Sequence, residues 1–308
     1  MSGTDKAGHE SISPALVAAP STGVAGSGSA NQIWNQLKAL AHYLTKTEVH
    51  TYAFSVAAQA ILSLFPFIVL LLTLSQRVFH SPRMADVVGE MMSNFLPNNQ
   101  DFVIRSMRAL AFSHARVRIV SVVMLLITAT GVFLPLEVAL NSVWGVKKNR
   151  SYLHNQLISV ALAVAVALLA MASVALTSAQ RSVLQWVFFG HTQNFLFAFV
   201  GKAFLQIVAL IASIALFFLI YWGLPARRIP ARAVLPTAIV MGILWTAAKY
   251  LYILALPHLD LRAVYGPFYV SVGLITWAFI SGLLLLGGAY ISATRQALRE
   301  TRNSDSQH

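Results

Sequence analysis

The chain has 308 residues, of which 57% are hydrophobic and only 10% are charged, whereas soluble domains carry about 25% charged residues. Together with a strongly positive mean hydropathy, this composition predicts an integral membrane protein. Cysteine is absent, which excludes disulfide scaffolds, thiolate metal sites and cysteine nucleophiles. The formal net charge is +12, but the basic residues lie beside or between apolar runs. We therefore expect them to contact membrane lipids and set orientation, and we expect no nucleic-acid partner.

Residues 1–30 are rich in Ala, Ser, Gly and Pro and contain no apolar run long enough for a secretory signal. We predict that they form a disordered cytoplasmic tail. Ile33, Leu37, Leu40 and Leu44 then recur at helical spacing. This pattern predicts an N-terminal interfacial helix that lies on the membrane surface.

Six runs reach the roughly 20 apolar residues needed to cross about 30 Å of hydrocarbon. None of them alternates as a barrel strand does, so we predict an all-α fold. The predicted transmembrane helices cover residues 53–74, 119–140, 157–177, 195–221, 234–256 and 270–291. They form a single six-helix membrane domain over residues 31–293, followed by a cytoplasmic C-terminal tail over residues 294–308.

Basic residues cluster after the second, fourth and sixth predicted spans. The short connections after the third and fifth spans carry little more than Arg181 and Arg262. By the positive-inside rule, the side that holds the basic clusters is cytoplasmic, and both termini lie on that side. The clusters comprise Lys147, Lys148 and Arg150, then Arg227, Arg228 and Arg232, then Arg295, Arg299 and Arg302.

The long connection between the first and second spans is patterned. Apolar residues follow the spacing of an amphipathic helix from Met84 to Phe95. Pro97 ends that helix, and a second apolar pattern runs from Phe102 to Leu110. We predict an outer, periplasmic-side helical hairpin over about residues 80–116.

The first predicted span holds polar residues beside a helix breaker. Pro66 has no amide hydrogen and displaces the carbonyl of Leu62, so we expect a kink near mid-membrane. Gln59 or Ser63 would satisfy the freed backbone groups. The kink serves either helix packing or a hinge or broken-helix ligand site.

The second predicted span ends with Pro135, Glu137 and Asn141. Glu137 and Asn141 are four residues apart and therefore share a helical face near the inner interface. One interpretation is an interfacial cap paired with Lys147, Lys148 or Arg150. The other is a coupling carboxylate or a ligand contact.

Lys202 and Lys249 lie in the outer halves of the fourth and fifth predicted spans. At 1.5 Å per residue, Lys202 lies about 10 Å from the outer start of the fourth span. Lys249 lies about 24 Å from the inner start of the fifth span. Either both side chains snorkel to outer headgroups or one reaches Asp260. Alternatively they line a cationic cleft for an anionic small molecule or lipid headgroup.

Small residues mark the sixth predicted span. Tyr265 and Gly266 precede it, and Gly282, Gly287 and Gly288 lie within it. Glycines in a span permit close approach of neighbouring helices, so we predict a packing role for them.

Several short sequences occur in order over residues 44–293. They are Ala57-Ala58, Ser63-Leu64-Phe65-Pro66, Asn141 with Trp144, Leu224-Pro225 with Arg227-Arg228, Gly242 with Trp245, Tyr265-Gly266, Trp277, and Gly287-Gly288-Ala289. Together they resemble the YihY/BrkB family of bacterial inner-membrane proteins, some of whose members were once labelled ribonuclease BN. Relatives commonly place a carboxylate after the last Gly-Ala, where this chain has Tyr290. The resemblance implies a multi-pass protein of the bacterial inner membrane, with transport or envelope maintenance proposed as its role.

Two non-enzymatic functions are open at this point. The first is a transporter or a lipid- or envelope-handling protein for an anionic or amphipathic substrate, indicated by the kinked first span and the polar groups within the spans. The second is an envelope assembly or structural factor that transports nothing. A cavity between spans one, two, four and five would favour the first function, whereas a solid bundle would favour the second. The sequence leaves oligomerisation open.

The third function is the ribonuclease of the older family label. Metal-dependent phosphodiester cleavage needs clustered carboxylates or histidines. The nine histidines occur singly and only ten carboxylates are present. We therefore expect no enzyme activity, no catalytic residue, no metal site and no cofactor, with membrane lipids as the main partners.

Overall fold

A computed structural model describes residues 29–93, 131–146, 151–187, 195–227 and 229–305. Within these ranges every regular element is a helix, in agreement with the predicted all-α class. Short 3-10 helices, Leu256–Leu259 and Gly266–Phe268, flank the small helix Leu261–Tyr265. The α-helices are α1 (Ser29–Leu44), α2 (Thr47–Arg77), α3 (Pro82–Ser93), α4 (Phe133–Val143), α5 (Tyr152–Val187), α6 (Phe195–Gly223), α7 (Ala231–Ala255), α8 (Leu261–Tyr265) and α9 (Tyr269–Asp305).

Four helical segments in the described part of the chain are long and apolar enough to cross a membrane. They are Leu153–Ala179, Val200–Gly223, Ala231–Leu259 and Leu261–Glu300, and they correspond to the third to sixth predicted spans. Helix α2 coincides with the first predicted span, and its 31 residues extend about 46 Å at 1.5 Å per residue. Helix α4 covers only the end of the second, because residues 119–130 lie outside the described ranges.

Helix α9 is central to the bundle, where it packs against α1, α2, α4 and α7, while α6 lies between α5 and α7. Two close approaches depend on glycine. A Cβ atom at Gly282 would lie 3.2 Å from the carbonyl oxygen of Ala53 in α2. A Cβ atom at Gly242 in α7 would lie 3.1 Å from the backbone nitrogen of Ile214 in α6. Small residues thus let these helices pack backbone to backbone.

One end of the bundle collects the connections that the sequence predicts to be cytoplasmic, and we call it the inner end. The loop after α6 reaches the C-terminal part of α9 there, because Arg227 Nη2 lies 2.8 Å from Glu300 Oε1. Tyr43 of α1 stacks on Tyr290 of α9 with ring centroids 4.5 Å apart. Helix α9 continues to Asp305, so residues 294–305 of the predicted tail are helical.

At the opposite, outer end, α3 buries Met84 and Val88 against α2 and α5. These two residues belong to the apolar face that the sequence predicts for the first helix of the outer hairpin. The second predicted helix of that hairpin lies outside the described residues. Helix α1 covers the predicted N-terminal interfacial helix, with Leu40 and Leu44 directed at Gly287 and with Trp34 and Leu37 exposed.

Candidate functional site

Asn141 and Glu137 lie on the buried face of α4, near the inner end. Asn141 Oδ1 accepts a hydrogen bond of 2.8 Å from the backbone N–H of Ala226, which follows α6. Glu137 is one turn further into the bundle and only 1% exposed. The sequence placed both residues on one face near the inner interface. Lys147, Lys148 and Arg150, the cations proposed to pair with Glu137, lie outside the described residues.

An apolar cavity of about 180 Å³ lies between α2, α4 and α5. Its polar lining residue is Ser63, whose hydroxyl donates to the carbonyl of Ala60 at 3.1 Å. Ser63 therefore satisfies a carbonyl of its own helix and leaves the cavity wall apolar. The lining residues are Ala60, Ser63, Leu64, Phe67, Val132, Phe133, Ala163 and Val166.

Buried polar side chains adjoin this cavity on its inner side. On α4, Glu137 follows the lining residue Phe133 by four residues, so both share one helical face. On α5, Ser159 precedes the lining residue Ala163 by four residues, so it also lies one turn nearer the inner end. Ser159 is 0% exposed. The cavity is thus lined almost wholly by hydrocarbon, and buried polar groups lie one helical turn beyond its lining toward the inner end.

Thr237 on α7 and Ser292 on α9 are two further buried hydroxyl groups near the inner end, each 2% exposed. Met241 and Gly288 face each other across α7 and α9, and a Cβ atom at Gly288 would lie 2.5 Å from Met241 Cγ. Thr237 lies one turn from Met241 and Ser292 lies one turn from Gly288, both toward the inner end. The two hydroxyl groups therefore lie at the same depth in the bundle. Neither has a hydrogen-bond partner among the described residues.

Ser159, Thr237 and Ser292 were missed by the sequence analysis. Serine and threonine in a span usually donate to a carbonyl of their own helix, and sequence carries no sign of which ones do not. Only the loss of that local bond, together with burial, distinguishes these three residues.

Lys202 and Lys249 lie in the outer halves of α6 and α7, away from Glu137 and Asn141. Lys202 is exposed, while Lys249 is half-buried and places its ammonium 5.8 Å and 5.1 Å from the ring centroids of Trp245 and Tyr250. Gln206, one turn from Lys202, donates to the Tyr250 hydroxyl at 3.4 Å. Because this bond joins the neighbours of the two lysines, Lys202 and Lys249 lie at depths in the bundle that differ by about one helical turn.

The predicted hinge and packing residues differ in environment. Helix α2 continues through Pro66, whose side chain lies outside the described residues, and Gln59 is half-buried on the same helix. Pro135 occupies the first turn of α4, where a missing N–H costs little. Tyr265 is exposed at the outer end, and Gly266 after it adopts φ 52°, a conformation that favours glycine.

Gly287 and Gly288 are buried in α9, as a packing role requires. A Cβ atom at Gly288 would clash with the Tyr221 hydroxyl, which itself donates to the carbonyl of Leu285 at 2.8 Å. The side chains of Trp245 and Ser281 add a hydrogen bond of 3.0 Å between α7 and α9. Several residues that carry the family resemblance are therefore contact residues between helices.

Comparison with known proteins identifies the chain's relatives. Residues 40–308 match the family model described as Virulence factor BrkB. A UPF0761 membrane protein of Cronobacter sakazakii is 27% identical over 282 residues, which cover 87% of this chain and 93% of that protein. The UPF0761 membrane protein YihY of Salmonella newport is 28% identical over 220 residues, 70% of this chain and 72% of that protein. No solved structure matches the chain. The resemblance seen in the sequence is confirmed, and the chain belongs to the YihY/BrkB family of membrane proteins.

Proposed function

We propose that this protein binds an amphipathic lipid within its helix bundle and handles or transports it. The observation that carries the proposal is the apolar cavity between α2, α4 and α5, with buried polar side chains on its inner side. An amphipathic lipid has the same division into an apolar chain and a polar end. Ligand pockets likewise combine apolar walls with a few placed polar groups.

The size of the cavity supports this proposal. At about 180 Å³ it is larger than the apolar cavity of about 150 Å³ that accommodates benzene. A segment of a hydrocarbon chain therefore fits between Phe133 on α4 and Ala163 on α5. Glu137 and Ser159, one turn nearer the inner end, would then meet the polar end of the same molecule.

The cavity also favours lipid handling over a purely structural role, because a protein that only holds other components together needs no internal cavity. Its position is not the one between spans one, two, four and five that would favour transport on sequence grounds. It lies between the first, second and third predicted spans instead, because Val132, Phe133 and Ala163 leave space beside α2. Spans four and five, represented by α6 and α7, approach closely at Gly242.

We propose further that the protein spans the bacterial inner membrane six times, with the inner end in the cytoplasm, and that it is not an enzyme. The basic clusters after the second, fourth and sixth predicted spans support the orientation. Among the described residues, no group of three or more His, Asp or Glu side chains is placed to hold a metal ion. The ribonuclease alternative gains no support from that part of the chain.

The outer lysines support contact with anionic headgroups as a second element of the same function. Lys249 lies over two aromatic rings, an arrangement that stabilises its ammonium at a depth where an isolated charge is costly. Lys202 is exposed one turn from Gln206, which bonds to the Tyr250 hydroxyl beside Lys249. An anionic headgroup at the outer end would meet both cations.

Photoactivatable amphipathic lipids with the reactive group in mid-chain, one a phospholipid and one a lipid alcohol, test the proposal. We expect at least one of them to label the residues that line the cavity of the purified protein in vesicles. Ala163→Phe fills the cavity and should abolish this labelling. Val164→Phe is the matched control, because Val164 is exposed on the same helix. Unchanged labelling of a folded Ala163→Phe protein would contradict the proposal.

A further inference from the structure

The hydroxyl group of Ser159 differs from other hydroxyl groups in the bundle. Ser159 is fully buried, and its Oγ has no hydrogen-bond partner among the described residues. The hydroxyl group of a serine or threonine in a helix normally donates a hydrogen bond to the backbone carbonyl three or four residues earlier in the chain. Nine side chains in the described helices do so: Thr51, Ser63, Ser75, Thr177, Ser178, Ser213, Thr246, Thr276 and Thr294. Ser159 therefore keeps both its donor and its acceptor for another group.

Acceptor oxygens lie on the same side of the cavity. The side-chain oxygen of Asn155 is one turn from Ser159 toward the inner end, and it too is buried with no partner among the described residues. Glu137 on α4 is also buried toward this side of the cavity, where it has an interaction of its own. A ligand group that meets this wall must accept a hydrogen bond from Ser159 and donate one to an acceptor oxygen.

This requirement distinguishes between polar groups. An alcohol both donates and accepts, whereas an ammonium group only donates and an ionised phosphate only accepts. A phosphate is normally bound by cations or by several donors. No Lys, Arg or His side chain that the structure describes is buried, so the described wall supplies no cation to a phosphate at this depth.

We infer that the cavity takes a lipid whose polar end is a free hydroxyl group and not an anionic group. This inference rests on the proposed lipid-binding function and names its substrate class, a long-chain alcohol. Diacylglycerols and polyprenols are membrane lipids with this chemistry. The hydrocarbon lies among Phe133, Ala163 and Val166, and the hydroxyl reaches Ser159.

Three mid-chain photoactivatable probes test the inference: a diacylglycerol, a polyprenol and a phosphatidic acid, each in phosphatidylcholine vesicles containing the full-length protein. We expect at least one alcohol to label the cavity lining several times more strongly than phosphatidic acid. Which alcohol does so identifies the source of the ligand. Ser159→Ala should weaken that labelling about three- to tenfold, as expected for the loss of one neutral hydrogen bond.

The controls separate this inference from the proposed function. Ser159→Thr keeps a hydroxyl and should retain labelling. Ser178→Ala, on the same helix, removes a hydroxyl that already bonds to the carbonyl of Ala175 and should leave labelling unchanged. If phosphatidic acid labels the cavity as strongly as both alcohols, or Ser159→Ala has no effect, lipid binding stands and the inference is wrong. If no probe labels the cavity, both are wrong.

Discussion

Asn141 joins parts of the chain that are 85 residues apart, since its side-chain oxygen accepts the backbone N–H of Ala226 in the loop between α6 and α7. Glu137, on the same face of α4, points into the interior beside the cavity. The two residues that sequence analysis grouped together therefore have different environments. Asn141 holds a loop in place, while Glu137 is enclosed one turn further into the bundle.

Asn141→Ala should destabilise the protein. The substitution removes the acceptor of the partly buried Ala226 N–H, and the loss of one such hydrogen bond costs about 0.5–1.5 kcal/mol of unfolding free energy. Thermal unfolding of the purified protein in detergent measures the loss. Ser142→Ala is the control, because Ser142 is the exposed neighbour of Asn141. Equal unfolding midpoints for the two variants would contradict the structural role of Asn141.

Gly288→Ala and Gly287→Ala should differ although the residues are adjacent. A methyl group at position 288 meets the Tyr221 hydroxyl and Met241, whereas at position 287 the nearest atom is Leu40 Cδ1 at 3.6 Å, an ordinary contact. Overpacking of this kind typically costs about 1–3 kcal/mol. We expect reduced thermal stability for Gly288→Ala only. Equal stability of both variants would show that the α7–α9 contact is looser than the structure indicates.

Lys202→Gln and Lys249→Gln test the outer cationic cleft. If an anionic headgroup binds there, each substitution should impair growth complementation in a deletion strain while protein abundance stays normal. Lys→Arg should be milder because it keeps the charge. Simple snorkelling to the interface predicts wild-type behaviour for both glutamine variants. Two fully active glutamine variants would therefore remove the cleft hypothesis.

Among the helices, the contact between α2 and α9 is built on small residues. Gly282 faces Ala53, so the two backbones lie closer than larger side chains would allow. The apolar cavity lies further along α2, on the side that faces α4 and α5. Helix α2 therefore has one tightly packed section and one section beside a cavity.

A disulfide should form between Ala53→Cys and Gly282→Cys. A Cβ atom at Gly282 would lie 3.4 Å from the Ala53 Cβ, close to the roughly 3.5–4.5 Å that disulfides require. Because native cysteine is absent, oxidation followed by polyethylene-glycol maleimide labelling reports this pair alone. Ala53→Cys with Ile275→Cys is the control, since Ile275 lies about 10 Å along α9 from Gly282. Two free thiols in the first pair after oxidation would contradict the packing of α2 on α9.

In the whole molecule, polar contacts at the inner end join the loop after α6 to α4 and to α9. Those connections are also the ones with clustered basic residues. The outer half of the bundle exposes many apolar side chains, including Leu251, Leu254, Val264 and Phe268, as lipid contact requires. This division is consistent with one face of the membrane at each end.

Single cysteines test the orientation of these ends. Ser151→Cys and Arg299→Cys lie at the inner end, and His258→Cys lies at the outer end; all three positions are exposed. In intact cells an impermeant maleimide should label only His258→Cys. After permeabilisation it should label all three. Labelling of Ser151→Cys from outside intact cells would overturn the proposed orientation.

Sequence by itself determined the class, the family and most of the membrane-crossing segments. Long apolar runs must satisfy their backbone groups within one helix, so hydropathy alone predicts them. The third to sixth predicted spans agree with the four described segments to within a few residues at most ends. The pairing of Glu137 and Asn141 on one face followed from helical periodicity, which is a local property.

Only the tertiary structure decided which helices meet and therefore where the cavity lies. A cavity between spans one, two, four and five would have favoured transport on sequence grounds, whereas the described cavity lies beside Phe133 and Ala163, between α2, α4 and α5. Contacts between distant residues, such as Gly242 with Ile214, bring α6 and α7 together. The role of Ser159 depends in addition on a hydrogen bond that it does not make to its own helix. Burial and side-chain direction are set by packing partners far away in the chain, and local sequence does not encode them.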